Sequence, residues 1–224
     1  MRVAGPEATP FRVREPRDAV DPIQVVHVID DDDVFRGRLC SFLRSEGLEV
    51  LGYASATEFL DQLACLESGC LVTDVRMPEM TGLELLSRLG GERSRLPTIV
   101  LTGGANVRMA VDALKMGAAE FIEKPFEPDL LLAAIRRVLS KLDENLRRAS
   151  RTEADAHRLA SLSGRERDVL HGVLKGQANK EIARDLAISP RSVEAYRAKL
   201  MTKMDAKSLP ELIQRTLAAR QTAG

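Results

Sequence analysis

The chain has no tryptophan, and only 4% of its 224 residues are aromatic, so any core must be largely aliphatic. Its three cysteines, Cys40, Cys65 and Cys70, lack metal-ligand spacing and read as buried, reduced thiols. No apolar run approaches the length that spans a bilayer, so no membrane contact is expected. Residues 1–22 are polar, carry Pro6, Pro10 and Pro16, and lack the apolar centre of a signal peptide. They read as a disordered leader on a cytoplasmic protein. Net charge is also missing, with 33 basic residues against 33 acidic, but this balance hides a division. Residues 23–140 hold 12 Lys and Arg against 18 Asp and Glu, whereas residues 158–220 hold 13 against 7. An acidic first module and a basic second one imply different partners for each.

What is present is a repeated alternation. Cys70, Leu71, Val72 and Thr73 form a short apolar run that ends on Asp74, and Pro78 forces a turn just beyond. Similar runs end at Asp30, Tyr53, Thr102 and Glu123. Stretches of helical period lie between them. Val34, Phe35, Leu39, Phe42 and Leu43 share one face, and Phe59, Leu60 and Leu63 another. Five strands alternating with helices predict a doubly wound, five-stranded parallel sheet.

In such a sheet the carboxyl ends of the strands lie along one edge, where ligands bind. That edge collects Asp30, Asp31, Asp74, Thr102 and Lys124. Clustered carboxylates repel one another unless a cation is present, and hard oxygen ligands suit Mg²⁺. An aspartate can act as a nucleophile in phosphoryl transfer. Thr102 would donate a hydrogen bond to the transferred oxygens, and Lys124 would form an ion pair with them.

Val28-Ile29-Asp30-Asp31, Val72-Thr73-Asp74 through Pro78, Leu101-Thr102-Gly103 and Phe121 through Phe126 resemble the receiver domain of two-component response regulators. The separations agree: 43 residues from Asp31 to Asp74, 28 on to Thr102 and 22 on to Lys124. The resemblance covers residues 23–140. It implies that Asp74 takes a phosphoryl group from a sensor histidine kinase. It also implies Mg²⁺ bound by Asp30, Asp31, Asp74 and the backbone carbonyl of Arg76. Phe121 matches the aromatic residue that turns inward when Thr102 moves toward the phosphoryl group.

The helix beginning near Pro128 carries Leu132, Ile135, Leu139, Leu142, Leu146 and Ala149 at alternating spacings of three and four. This narrow seam predicts packing beyond the sheet, on a second protomer or on the following module. Residues 141–160 read as a helical linker that turns polar after Ser150. In 161–224, Ser163 and Glu166 form a capping box. A short helix from Asn179 follows. Ser189 then caps a third helix with Pro190 at its first position, and a fourth starts near Leu209. Two helices joined by a tight turn, the second one basic, read as a helix-turn-helix.

Leu162 to Leu170, Gly176 to Ala183 and Leu186 to Glu194 resemble the LuxR-type DNA-binding domain. The whole chain is therefore similar to the NarL/FixJ class of response regulators, and to its FixJ-like branch in particular. The implied function is a transcriptional regulator that dimerises when phosphorylated and binds double-stranded promoter DNA, with RNA polymerase as a further partner. The implied DNA contacts are Asn179, Lys180, Ser189, Arg191, Ser192, Glu194, Ala195, Arg197, Ala198, Lys199 and Lys203. Glu194 departs from a basic reading helix: it either accepts from a cytosine amine or pairs with a neighbouring arginine. A rival reading is a stand-alone Mg²⁺-dependent phosphatase with Asp74 as nucleophile. It would need a second acid where Arg76 stands. Another is a partner-binding protein with a vestigial DNA-binding module. The intact cap, turn and basic helix oppose it.

Overall fold

The computed structural model describes residues 24–104 and 107–222. The leader, residues 1–22, and Ala105 and Asn106 of the segment after β4 lie outside them. Two compact units part between Glu144 and Asn145.

The first unit is the expected parallel sheet. Its strands are β1 (Val25–Ile29), β2 (Glu49–Tyr53), β3 (Cys70–Asp74), β4 (Thr98–Thr102) and β5 (Glu120–Glu123). Their order is β2-β1-β3-β4-β5, and every pairing is parallel. The strand order reverses beside β1, which places a ligand crevice over the ends of β1 and β3. β1, β3 and β4 are buried at every position, as central strands covered on both faces must be.

The intervening helices are α1 (Asp33–Ser45), α2 (Ala56–Gln62), α3 (Gly82–Leu89) and α4 (Val107–Lys115). One core cluster packs Leu39, Leu43, Val28, Val72, Leu131 and Ile135 together. On the other side, Ile29, Phe59, Leu71, Leu85 and Leu96 form a second. Full burial of each such side chain contributes roughly 1.5–3 kcal/mol. His27 is the polar exception. It is fully buried, bonded to the Tyr53 hydroxyl at 3.3 Å and to the Glu67 carbonyl at 3.1 Å. Burial pulls its pKa down to about 4.

Two local expectations change, for Val34 and Cys65. Val34 is 62% exposed, because at about 100° per residue it lies on the side of α1 opposite the buried Leu43, whereas the adjacent Phe35 packs on the core. Asp32 caps that helix, accepting from the backbone N–H groups of Val34 and Phe35. Cys40 and Cys70 are buried, but Cys65 is exposed at the end of a 3₁₀ turn that follows α2.

The helix from Pro128, α5, continues through the polar stretch after Ser150. It runs unbroken from Pro128 to Ala160. Within the first unit its Leu131, Ile135, Leu139 and Leu142 are buried. Further along, Leu146 is half-buried and Ala149 exposed.

The second unit contains α6 (Gly164–Leu174), α7 (Asn179–Asp185), α8 (Pro190–Lys203) and α9 (Leu209–Thr222). Val169, Leu170, Ile182, Val193, Leu200, Met204 and Leu212 form its core. The final turns of α5 belong to this unit through Asp155, which is buried. Its Oδ1 accepts from Arg158 at 2.9 Å and from Arg215 of α9 at 3.4 Å. Leu217 of α9 is largely exposed.

Candidate functional site

Each acidic side chain of the first site stands where a buried strand stops. β1 runs out at Ile29 and delivers Asp30, which is 3% exposed. β3 ends on Asp74, which is also buried. β4 ends on the fully buried Thr102, and the backbone N–H of Lys124 donates to the Thr102 carbonyl at 2.7 Å. That bond continues the β4–β5 ladder by one residue and aims the lysine across the strand ends.

The Lys124 ammonium joins the two acids. Its Nζ lies 2.8 Å from Asp30 Oδ2 and 2.8 Å from Asp74 Oδ1, over the Phe35 ring at 3.9 Å. The second oxygen of each carboxylate is also held. Asp30 Oδ1 accepts from the Asp32 N–H at 3.0 Å, and Asp74 Oδ2 accepts from the Arg76 N–H at 2.6 Å. Burial raises the Asp30 pKa, outweighing Lys124 and the Asp32 N–H, and the neighbouring Asp74 adds to the rise. Burial works against the Lys124 charge, but its bonds to Asp30 and Asp74 outweigh that and raise its pKa.

Gly82 makes this arrangement possible from behind. A Cβ there would lie 2.2 Å from the Asp74 carbonyl oxygen, so only glycine lets α3 start against the end of β3. Thr102 Oγ1 accepts from the Gly104 N–H at 3.4 Å. Phe121 is half-buried, paired in register with Val100 and packed on the cluster of Val75, Leu86, Val100 and Ala113.

The structure thus brings Asp30, Asp74, Thr102 and Lys124 to one edge. Asp31 stands beside them but is exposed. Among the described residues, no three of His, Cys, Asp and Glu converge tightly enough to form a metal-binding group. The donor set nevertheless suits a hard cation. It offers carboxylate oxygens and the Arg76 carbonyl, which no described residue bonds.

The second site is the exposed face of α8. Ser189 caps the helix, its Oγ accepting from the Ser192 N–H at 3.0 Å, with Pro190 in the first turn. Val193, Leu200 and Met204 anchor the helix in the core. Opposite them, Arg191, Glu194, Ala195, Ala198 and Lys199 are exposed, as is Lys180 on α7.

Two expected contacts are engaged within the unit. Arg197 Nη1 donates to Asn179 Oδ1 at 2.6 Å and ties α8 to the start of α7. Lys203 Nζ pairs with Glu166 Oε2 at 2.7 Å. Glu166 also accepts from the Ser163 N–H at 2.8 Å, completing the capping box. The Lys203 bond, followed by the Ser163 N–H, lowers the Glu166 pKa to about 2. Sequence reasoning found the capping box but not its lysine, because a partner 37 residues away carries no local signal. It also missed Asp155, for which the spacing to Arg158 was the available clue.

Residues 26–136 match the response regulator receiver domain, and residues 160–216 match bacterial regulatory proteins of the luxR family. The transcriptional regulatory protein FixJ of Azorhizobium caulinodans is 50% identical over 194 residues, covering 87% of this chain and 92% of that protein. The response regulator StyR superposes with a TM-score of 0.74 at 36% identity, covering 86% of this chain and 97% of that one. Full-length FixJ from B. japonicum gives a TM-score of 0.57 at 43% identity, covering 90% and 99%. Among the described residues, no helix is long and apolar enough to cross a membrane.

Proposed function

Because this chain belongs to the response regulators that join a receiver domain to a luxR-type DNA-binding domain, we propose how its own residues perform the work of that family. It is a phosphorylation-dependent transcriptional regulator of a two-component system, in a family of transcription factors that is not normally enzymatic. We assign the phosphoryl acceptor to Asp74. The observation that carries this is the shared Lys124 ammonium, 2.8 Å from Asp74 and from Asp30 at the strand ends.

One Asp74 oxygen forms a P–O bond as the P–N bond to the kinase histidine breaks, and the electron pair of that bond stays on the histidine nitrogen. Lys124 remains beside the new acyl phosphate and pairs with its oxygens. Thr102, on the neighbouring strand, donates its hydroxyl to the same group, and Phe121 follows inward. Receiver domains generally bind Mg²⁺; here Asp30, Asp31, Asp74 and the Arg76 carbonyl would hold it, and it would supply positive charge against the phosphoryl oxygens. The receiver itself promotes the gain and loss of its phosphoryl group.

Phosphorylation favours a homodimer, whose paired DNA-binding modules meet two half-sites of promoter DNA in the cytoplasm. Residues 161–224 act as that module, with Arg191, Glu194, Ala195, Ala198 and Lys199 toward the groove, alongside Lys180, Ser189 and Ser192. Arg197, Asn179 and Lys203 support the helix. RNA polymerase is a further proposed partner.

The test is incubation of the full chain with acetyl phosphate and Mg²⁺, followed by peptide mass mapping. We expect one phosphoryl group on the peptide containing Asp74, and none in Asp74→Asn. A phosphoryl group elsewhere, or none in either protein, refutes the assignment.

A further inference from the structure

We propose that Glu194 reads a cytosine in each half-site, through the exocyclic amine that cytosine presents in the major groove. This deepens the DNA-binding reading above and rests on it. The first observation is position. Glu194 lies in the second turn of α8, on the stripe with Arg191, Ala195 and Ala198 that opposes the buried Val193 and Leu200. The two alanines leave that stripe low, so the helix can come close to base edges around the longer carboxylate.

The second observation is that Glu194 is unpartnered. Residues 158–220 contain seven acids. Glu166, Glu181, Asp185, Asp205 and Glu211 each hold a described partner. Asp168 and Glu194 hold none among the described residues, and of these two only Glu194 is on α8. The neighbouring arginines do not neutralise it. Arg197, one turn on, is committed to Asn179 at 2.6 Å, and Arg191, one turn back, makes no ion pair with a described residue.

An unneutralised carboxylate on the face that approaches DNA is repelled by phosphate. It is compatible with tight binding only where a donor meets it. Of the two major-groove amino donors, cytosine N4 and adenine N6, glutamate suits cytosine, because the adenine amine is flanked by the N7 acceptor, which repels a carboxylate. A glutamate here therefore costs non-specific affinity and adds discrimination, an arrangement suited to choosing among sites.

The test is selection from a random duplex pool by the full chain, with acetyl phosphate and Mg²⁺, for wild type, Glu194→Ala and Glu194→Gln. Wild type should enrich C·G at one position of each half-site by about tenfold over other pairs, the scale of one good base contact. Glu194→Ala should lose preference at that position only. Glu194→Gln should move it to adenine, which glutamine bonds through N6 and N7. If all three proteins enrich the same motif at every position, Glu194 does not read a base and the proposal is overturned. If wild type enriches no sequence, the DNA-binding reading falls and this proposal falls with it.

Discussion

At Lys124, two buried carboxylates share one ammonium. Removing that charge should leave Asp30 and Asp74 repelling each other across a site with little water. In Lys124→Met, which removes the partner that opposes the rise, we expect the Asp30 carboxyl to titrate higher than in wild type, followed by carbon NMR of labelled aspartate. Unchanged titration would show that Lys124 does not couple them. Glu166 is the opposite case. Its folded pKa, about 2, lies below the ordinary 4.5, so its contribution to stability is present above pH 4.5 and is lost as pH falls toward 2. Protection of α6 and α8 from hydrogen exchange should therefore decline across that interval in wild type. Glu166→Gln should be weaker at pH 7 and show little of the decline. The chemistry-bearing residues of the receiver were legible because each ends a strand, and strand ends can be read from apolar runs. The pairings were not. Sequence marks Lys203 and Arg197 as basic, but only the packed module shows that Glu166 and Asn179 hold their charged ends.

Among the elements, α5 shows best what the sequence marks and what it does not. Its apolar positions up to Leu142 are buried as their period predicts. Ile135→Ala should cost the receiver about 2–5 kcal/mol in denaturant unfolding, since the side chain is fully buried between helix and sheet. Beyond Glu144 the composition is mixed and polar, read from the sequence as a helical linker, and α5 stays helical to Ala160. What holds the helix there is the buried Asp155 with Arg158 and Arg215, a contact to α9 some 60 residues further along the chain. Asp155→Ala leaves two arginines without that acceptor. We expect loss of about 1–3 kcal/mol from the second unit, with residues 150–160 exchanging faster and the receiver unchanged. Equal exchange in variant and wild type would remove Asp155 as the anchor. Val34 carries the same lesson in reverse. The sequence groups it with the inward residues, but nine residues at about 100° each set it opposite Leu43, on the solvent side of α1.

For the whole molecule, charge divides as function does. The acidic receiver meets a phosphodonor, and the basic module meets a polyanion. Binding of the module to DNA should weaken with salt, because each neutralised phosphate releases counterions. Arg191→Ala should flatten the plot of log affinity against log salt by about one contact. The link between the halves need be only a population shift of a few kcal/mol. It is tested most directly by the affinity of the full chain for a selected promoter duplex, measured by fluorescence anisotropy for wild type and Asp74→Asn, each with and without acetyl phosphate and Mg²⁺. Wild type should tighten severalfold or more on adding phosphodonor, and Asp74→Asn should stay at the unphosphorylated value. Equal tightening in both proteins, or none in wild type carrying phosphate on Asp74, would contradict it.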